Sequence, residues 1–117
     1  MQVMTSFTSA PKQFYQLVLD NNETADFHIR YMPRMLSWYF DISYKNTNIN
    51  NVKIVLHPNI LRQFRNKLPF GLMFYTENGS PVEPFQITDF KTGRVKMGIL
   101  NEEEIIQVES EIFNVEE

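Results

Sequence analysis

A chain of 117 residues without cysteine excludes disulfide scaffolds, thiolate catalysis and cysteine-built zinc sites, and its length suits one domain over residues 1–117. Hydrophobic residues at 43% and charged residues at 21% are ordinary globular usage, which excludes disordered and fibrous classes. The net charge of −3 is unevenly placed: residues 1–100 hold all eleven Lys/Arg against seven Asp/Glu, while the acidic segment 101–117 holds seven acids and no base.

Ten Phe and five Tyr favour pleated, half-buried surfaces and hence β structure. No apolar run approaches the roughly 18 residues of a membrane span, and Met1–Ala10 has no basic-then-apolar signal pattern. The expectation is a soluble, untargeted chain with no membrane partner.

Residues 1–12 are polar, end in Ala10-Pro11 and are expected to form an N-terminal arm outside the core. Gln13 to Leu19 alternates, with Tyr15, Leu17 and Leu19 on one face and Phe14, Gln16 and Val18 on the other. A polar turn at 20–23 joins it to a second strand in which Phe27, Ile29 and Tyr31 alternate with Asp26, His28 and Arg30. After Pro33 comes the cleanest strand: Trp38, Phe40, Ile42 and Tyr44 at period two must be buried, with Asp41 and Ser43 more exposed.

The Asn-rich stretch 45–51 is expected to be a turn, leading into a strand with Val52, Ile54 and Leu56 on one face. Pro58 ends it, and Ile60, Leu61 and Phe64 at helical spacing predict a helical turn with Leu61 and Phe64 inward and Arg62 and Arg65 outward. Leu72, Phe74 and Thr76 alternate in the next strand, Asn78-Gly79 marks a tight turn, and Pro84 makes 82–86 an edge strand. Val95, Met97 and Ile99 form the last strand. Asn101 followed by Glu102, Glu103 and Glu104 is an N-cap with first-turn acids, opening a short helix through Glu109. The fold class is all-β: a small β-barrel or β-sandwich with short helical turns and a short C-terminal helix.

Nothing in this pattern assembles a catalytic site. His28 lies on the polar side of a strand, and His57 before Pro58 suits turn stabilisation rather than a general base. Asp26-x-His28 offers too few ligands for a closed metal shell. Glu102–Glu104 match a helix dipole rather than an acid–base pair, and glycines 71, 79, 93 and 98 form no phosphate loop. The expectation is a non-enzyme with no metal or cofactor. Arg62, Arg65 and Lys67 cluster near Phe64 and Phe70, but acidic net charge and the lack of a broader basic stripe argue against nucleic acid as the partner. Arginine forks and aromatic rings suit protein interfaces instead, so the candidate interface residues are Arg62, Arg65, Phe64, Phe70, Tyr39 and Tyr75.

The succession Trp38-Tyr39-Phe40-Asp41-Ile42, Asn59-Ile60-Leu61-Arg62-Gln63-Phe64, Pro69-Phe70-Gly71, Asp89-Phe90 and Gly93-x-Val95 resembles the baseplate plug family of contractile-tailed bacteriophages. That family, named from a cyanophage baseplate, comprises compact β proteins with an early Trp-x-x-Asp strand and a later Asn-x-Leu-Arg-type segment before a glycine-led strand. The resemblance implies a virion structural subunit at the axial centre of the tail tip, assembled in the host cytoplasm. It would pack against hub and spike proteins and self-associate within the assembly. The acidic tail after Leu100 has no counterpart in the resemblance, and Glu77-Asn78-Gly79 stands where an Asp-led turn is more typical.

Two other classes compete with an assembly subunit. One is a small-ligand or carbohydrate-binding β module stacking its ligand on Trp38, Tyr39 or Tyr75. The other is an oligonucleotide-binding barrel around Arg62, Arg65 and Phe64. An enclosed pocket with convergent polar groups would favour the ligand module, and a flat apolar patch the assembly subunit.

Overall fold

The computed structural model describes residues 1–19, 22–64 and 67–113. Its strands are β1 (Gln2–Met4), β2 (Lys12–Val18), β3 (Thr24–Met32), β4 (Ser37–Tyr44), β5 (Thr47–Lys53), β6 (Gly71–Thr76) and β7 (Val95–Leu100). A 3-10 turn, Arg62–Phe64, precedes β6, and α1 (Glu102–Phe113) follows β7. Two antiparallel sheets result, one ordered β2-β3-β4-β5 and the other β1-β7-β6. They do not close into a barrel; the arrangement is sandwich-like.

Period-two patterning decides which faces meet. Trp38, Phe40, Ile42 and Tyr44 are buried while Tyr39, Asp41 and Ser43 are only half-buried, and Phe27 and Ile29 stand beside them on β3. From the second sheet Leu72, Phe74, Val95 and Met97 face inward. Within the first sheet Phe27 meets Phe40 at 5.5 Å, and rings then join the layers: Phe40 to Phe74 at 6.1 Å, Phe74 to Phe90 at 6.1 Å, and Phe90 to Trp38 at 5.3 Å. Tilted and edge-on pairs at such distances add to the area that the rings bury.

Asn59 holds the helical turn against β6. Its buried Oδ1 accepts from the backbone N–H groups of Leu61 (3.1 Å) and Leu72 (3.2 Å). Gly71 makes this approach possible, because a Cβ there would lie 2.6 Å from that oxygen. Leu61 is thereby placed in the core and Arg62 outside it, as the spacing predicts, with Phe64 half-buried against the core. Leu61→Ala is expected to cost about 2–5 kcal/mol in chemical denaturation. A loss under about 1 kcal/mol would mean the side chain is dispensable to the core.

Three expectations are corrected. The N-terminal arm is not wholly outside the core: Gln2–Met4 pair with β7, and Phe7 is buried with its ring 5.1 Å from that of Phe90. The Asn-rich stretch 45–51 is mostly strand, with the turn limited to Lys45-Asn46. Asn51 takes φ 59° beside a register shift in the β4–β5 ladder, and the Asp41 carboxylate accepts its N–H at 2.7 Å. Pairing resumes past this bulge to Lys53, with Ile54 donating to the Trp38 carbonyl at 2.8 Å, and Leu56 lies beyond the strand. Finally, residues 82–86 form no edge strand, because the Phe85 and Gln86 amides bond to a side chain, the Asp89 carboxylate. The C-terminal helix begins as expected: Asn101 Oδ1 accepts the Glu104 N–H (2.8 Å) and Glu104 accepts the Asn101 N–H (3.1 Å), a reciprocal cap.

Candidate docking surface

The loop between β6 and β7 is organised by one carboxylate. Asp89, 1% exposed, accepts the N–H groups of Phe85 (2.7 Å) and Gln86 (2.8 Å) on Oδ2. Those amides are therefore spent on a side chain and cannot join a ladder. Arg94 forks onto both Asp89 oxygens at 2.8 Å, and its terminal nitrogens donate to the carbonyls of Val82 and Glu83, each at 3.0 Å. Burial alone would raise the Asp89 carboxyl's pKa. The Arg94 hydrogen bonds and charge, with the Gln86 and Phe85 amides, outweigh it and hold the group below the ordinary carboxylate value. Arg94 is correspondingly raised by Asp89.

Two further bonds attach this loop to the other sheet. Tyr31 Oη donates to the Phe85 carbonyl at 2.7 Å and Trp38 Nε1 to the Gln86 carbonyl at 3.0 Å. Tyr31 and Trp38 are cross-strand partners just inside the β3–β4 turn, so that turn and the loop share one end of the sandwich. This end carries uncovered apolar side chains: Met32, Met35 and Leu36 from the turn, and Val82, Phe85 and Ile87 from the loop. Leu36 is 58% exposed and holds φ 47°, a left-handed conformation unusual for a bulky residue. Strain of this kind persists only where the surroundings over-determine it, and such places cluster at functional surfaces.

The residues expected at an interface are dispersed. Arg62 is exposed on the 3-10 turn, Phe64 is half-buried, and Arg65 lies outside the described residues. Phe70 is 3% exposed and stacks edge-on against Tyr44 at 5.6 Å, so it belongs to the core and presents no face to a partner. Tyr39 and Tyr75 are half-buried on the outer faces of opposite sheets. Trp38 is wholly buried and cannot act as a stacking platform. His28 is exposed against the Phe14 ring, and His57 Nδ1 accepts the Asn59 N–H at 2.9 Å, a turn contact. Tyr75, His57, Thr76 and Ser80 line an open groove of about 330 Å³, at the small end of ligand sites. No described helix is long and apolar enough to cross a membrane.

The apolar end was missed in the sequence because Met32, Met35, Leu36, Phe85 and Ile87 come from two segments 50 residues apart with no shared period. Pro33 and Pro84, each next to exposed apolar residues, were the available signal. A strained turn and an ordered loop thus bring uncovered apolar side chains to one end of a β-sandwich, the kind of surface that marks protein contacts. The chain belongs to the family described as cyanophage baseplate Pam3 plug gp18, which matches residues 1–102. It is thus a structural component of a phage tail baseplate in the virion, held by contacts within that assembly. The match ends at the start of α1, so most of the acidic segment lies outside it. No curated protein matches the chain.

Proposed function

We propose that this chain packs its Met32–Leu36 and Val82–Ile87 surface against the hub and spike proteins at the tail tip, as a plug that self-associates there and is assembled in the host cytoplasm. The observation that carries the reading is the combination of uncovered apolar side chains with a loop pinned by Asp89, Arg94, Tyr31 and Trp38. A surface already ordered forfeits little conformational entropy on docking. Arg62, Tyr39 and Tyr75, dispersed over other faces, are secondary contacts, since arginine and aromatic rings favour protein partners. Catalysis has no place in this role.

Co-expression with the hub and spike proteins of the same phage tests it. Leu36→Asn removes the apolar side chain and substitutes a residue that tolerates left-handed φ, so stability should hold while capture weakens by about 10- to 100-fold. Phe85→Ser should weaken capture similarly. A folded chain that ignores both proteins but binds a sugar would support the ligand module, with the Tyr75 groove as its site. Binding of a single-stranded oligonucleotide would support the third class.

A further inference from the structure

The four edges of the two sheets are not treated alike. The outer edge of β6 is covered, since His57 exchanges backbone bonds with Phe74 at 3.1 Å and Ile60 donates to the Leu72 carbonyl at 2.9 Å. β1 is only three residues long. β5 carries the bulge and positive φ at Asn51. Short length, bulging and covering are the devices by which edges are kept from pairing with other chains. Over Gln13–Val18 the β2 backbone has none of them: it is regular, uncharged and paired only with β3, while the Gln13 and Tyr15 side chains, on the face opposite Phe14, bond to residues 6–10.

Its free side can be assigned residue by residue. Tyr31 donates to the Pro11 carbonyl and Leu19 to the Glu23 carbonyl, each at 2.8 Å. These bonds bracket the β2–β3 register and put the odd-numbered residues of β2 in the hydrogen-bonded pairs with β3. The N–H and C=O groups of Phe14, Gln16 and Val18 therefore point away from the sheet. Their side chains lie on the outer face, where Phe14 is 67% and Val18 56% exposed. Phe14 is steadied by His28, ring centroids 4.4 Å apart.

We infer that β2 is the interface for a second copy of this chain, the two β2 strands pairing antiparallel about a two-fold axis through Gln16. The register is self-complementary. Placing Gln16 opposite Gln16 of the second copy sets each Phe14 against a Val18, an aromatic beside a β-branched side chain, on the same outer face. Both of the exposed apolar residues of β2 are matched at once, with about six backbone hydrogen bonds across the seam. Each four-stranded sheet then continues into the other. This inference rests on the self-association in the proposed function and names its surface, which is separate from the hub-facing end.

Sedimentation equilibrium of the full chain, with three variants, tests it. Wild type should show a monomer–dimer equilibrium. Gln16→Pro removes a donor that bonds to nothing within the sheet, so the β2–β3 ladder survives. It should raise the dimer dissociation constant at least about tenfold with an unchanged circular dichroism spectrum. Should Gln16→Pro disturb the fold, Phe14→Lys puts a charge on the same seam and should give the same loss. Because the chain has no cysteine, Gln16→Cys supplies a single thiol, and a short bis-maleimide, adding one thiol across each of its double bonds, should join two copies through it. A dimer that survives both edge variants overturns the surface while leaving self-association intact. A wild type that is monomeric at every concentration overturns the self-association, and leaves hub capture to be judged by its own experiment. Loss of hub capture in Gln16→Pro from a monomeric chain would make the occupant a hub strand and overturn the second copy.

Discussion

Phe74→Ala is expected to lower stability by about 3–5 kcal/mol, the range for emptying a buried phenylalanine site. Phe74 is 1% exposed and touches Phe40 in the opposite layer and Phe90 from the loop, so the cavity would open where the two sheets meet. Domains of this size are stable by roughly 5–15 kcal/mol. The loss is thus a large fraction of the whole, and Tm should fall by roughly 15 °C. Urea denaturation with an unchanged m-value checks it. A change under about 1 kcal/mol would mean that the layers are not held together through this ring.

Asp89→Asn has a different signature. Removing the charge leaves Arg94 without its ion pair and weakens the acceptor for the Phe85 and Gln86 amides; the expected loss is about 3 kcal/mol, the low end for a broken buried pair because Arg94 keeps some contact with water. The readout is local. Trp38, the single tryptophan, donates to the Gln86 carbonyl, so loosening the loop should red-shift its fluorescence and unprotect the Phe85 and Gln86 amides in hydrogen exchange. Acid should reproduce the effect in the wild type. The Asp89 carboxyl is depressed in the folded state, so its stabilisation is complete above the ordinary carboxylate value of about 3.9 and is lost as pH falls through the lower folded value. Asp89→Asn should lack this acid transition in Trp38 fluorescence; a variant that keeps it would assign the transition to other carboxylates.

The strands that alternate strongly were legible because one face had to be buried. Phe40 on β4 lies on the face predicted to be buried, and Leu17 on β2, Phe27 on β3, Phe74 on β6 and Met97 on β7 are buried on faces that the alternation had already set apart. The reciprocal cap at Asn101 and Glu104 was legible for the same local reason, since its partners sit three residues apart. What escaped depends on distant partners. Gln2–Met4 is too short to show a period, and it becomes a strand only because β7 lies beside it, where Gly98 leaves room for the Met1 side chain. Residues 82–86 look extended, yet the Phe85 and Gln86 amides are claimed by Asp89, a choice invisible until Arg94 folds back on it. Asn59 and Gly71 were noticed as separate signs of the resemblance, and in the fold they are one device, an amide seated where a Cβ would be.

The candidate site was less legible than the fold for a similar reason. Phe70 was chosen for its ring and turned out to be core, whereas Leu36 and Phe85 gained their importance from exposure, which residue type does not encode. Only the stitching by Tyr31 and Trp38 brings their segments to one end of the molecule.

The pairing of β1 with β7 bears on the order in which the molecule can be made. β2 to β5 are consecutive and join neighbour to neighbour, so that sheet can form as soon as its own residues have been synthesised. The other sheet spans nearly the whole chain, because Gln2 must wait for Ile99 before it has a partner. Until then the inner face of the first sheet, with Trp38, Phe40 and Ile42, lacks its cover. Completion of the sandwich is thereby tied to the end of translation of β7, and a nascent chain stopped short of it has half a core and no finished surface with which to enter a tail.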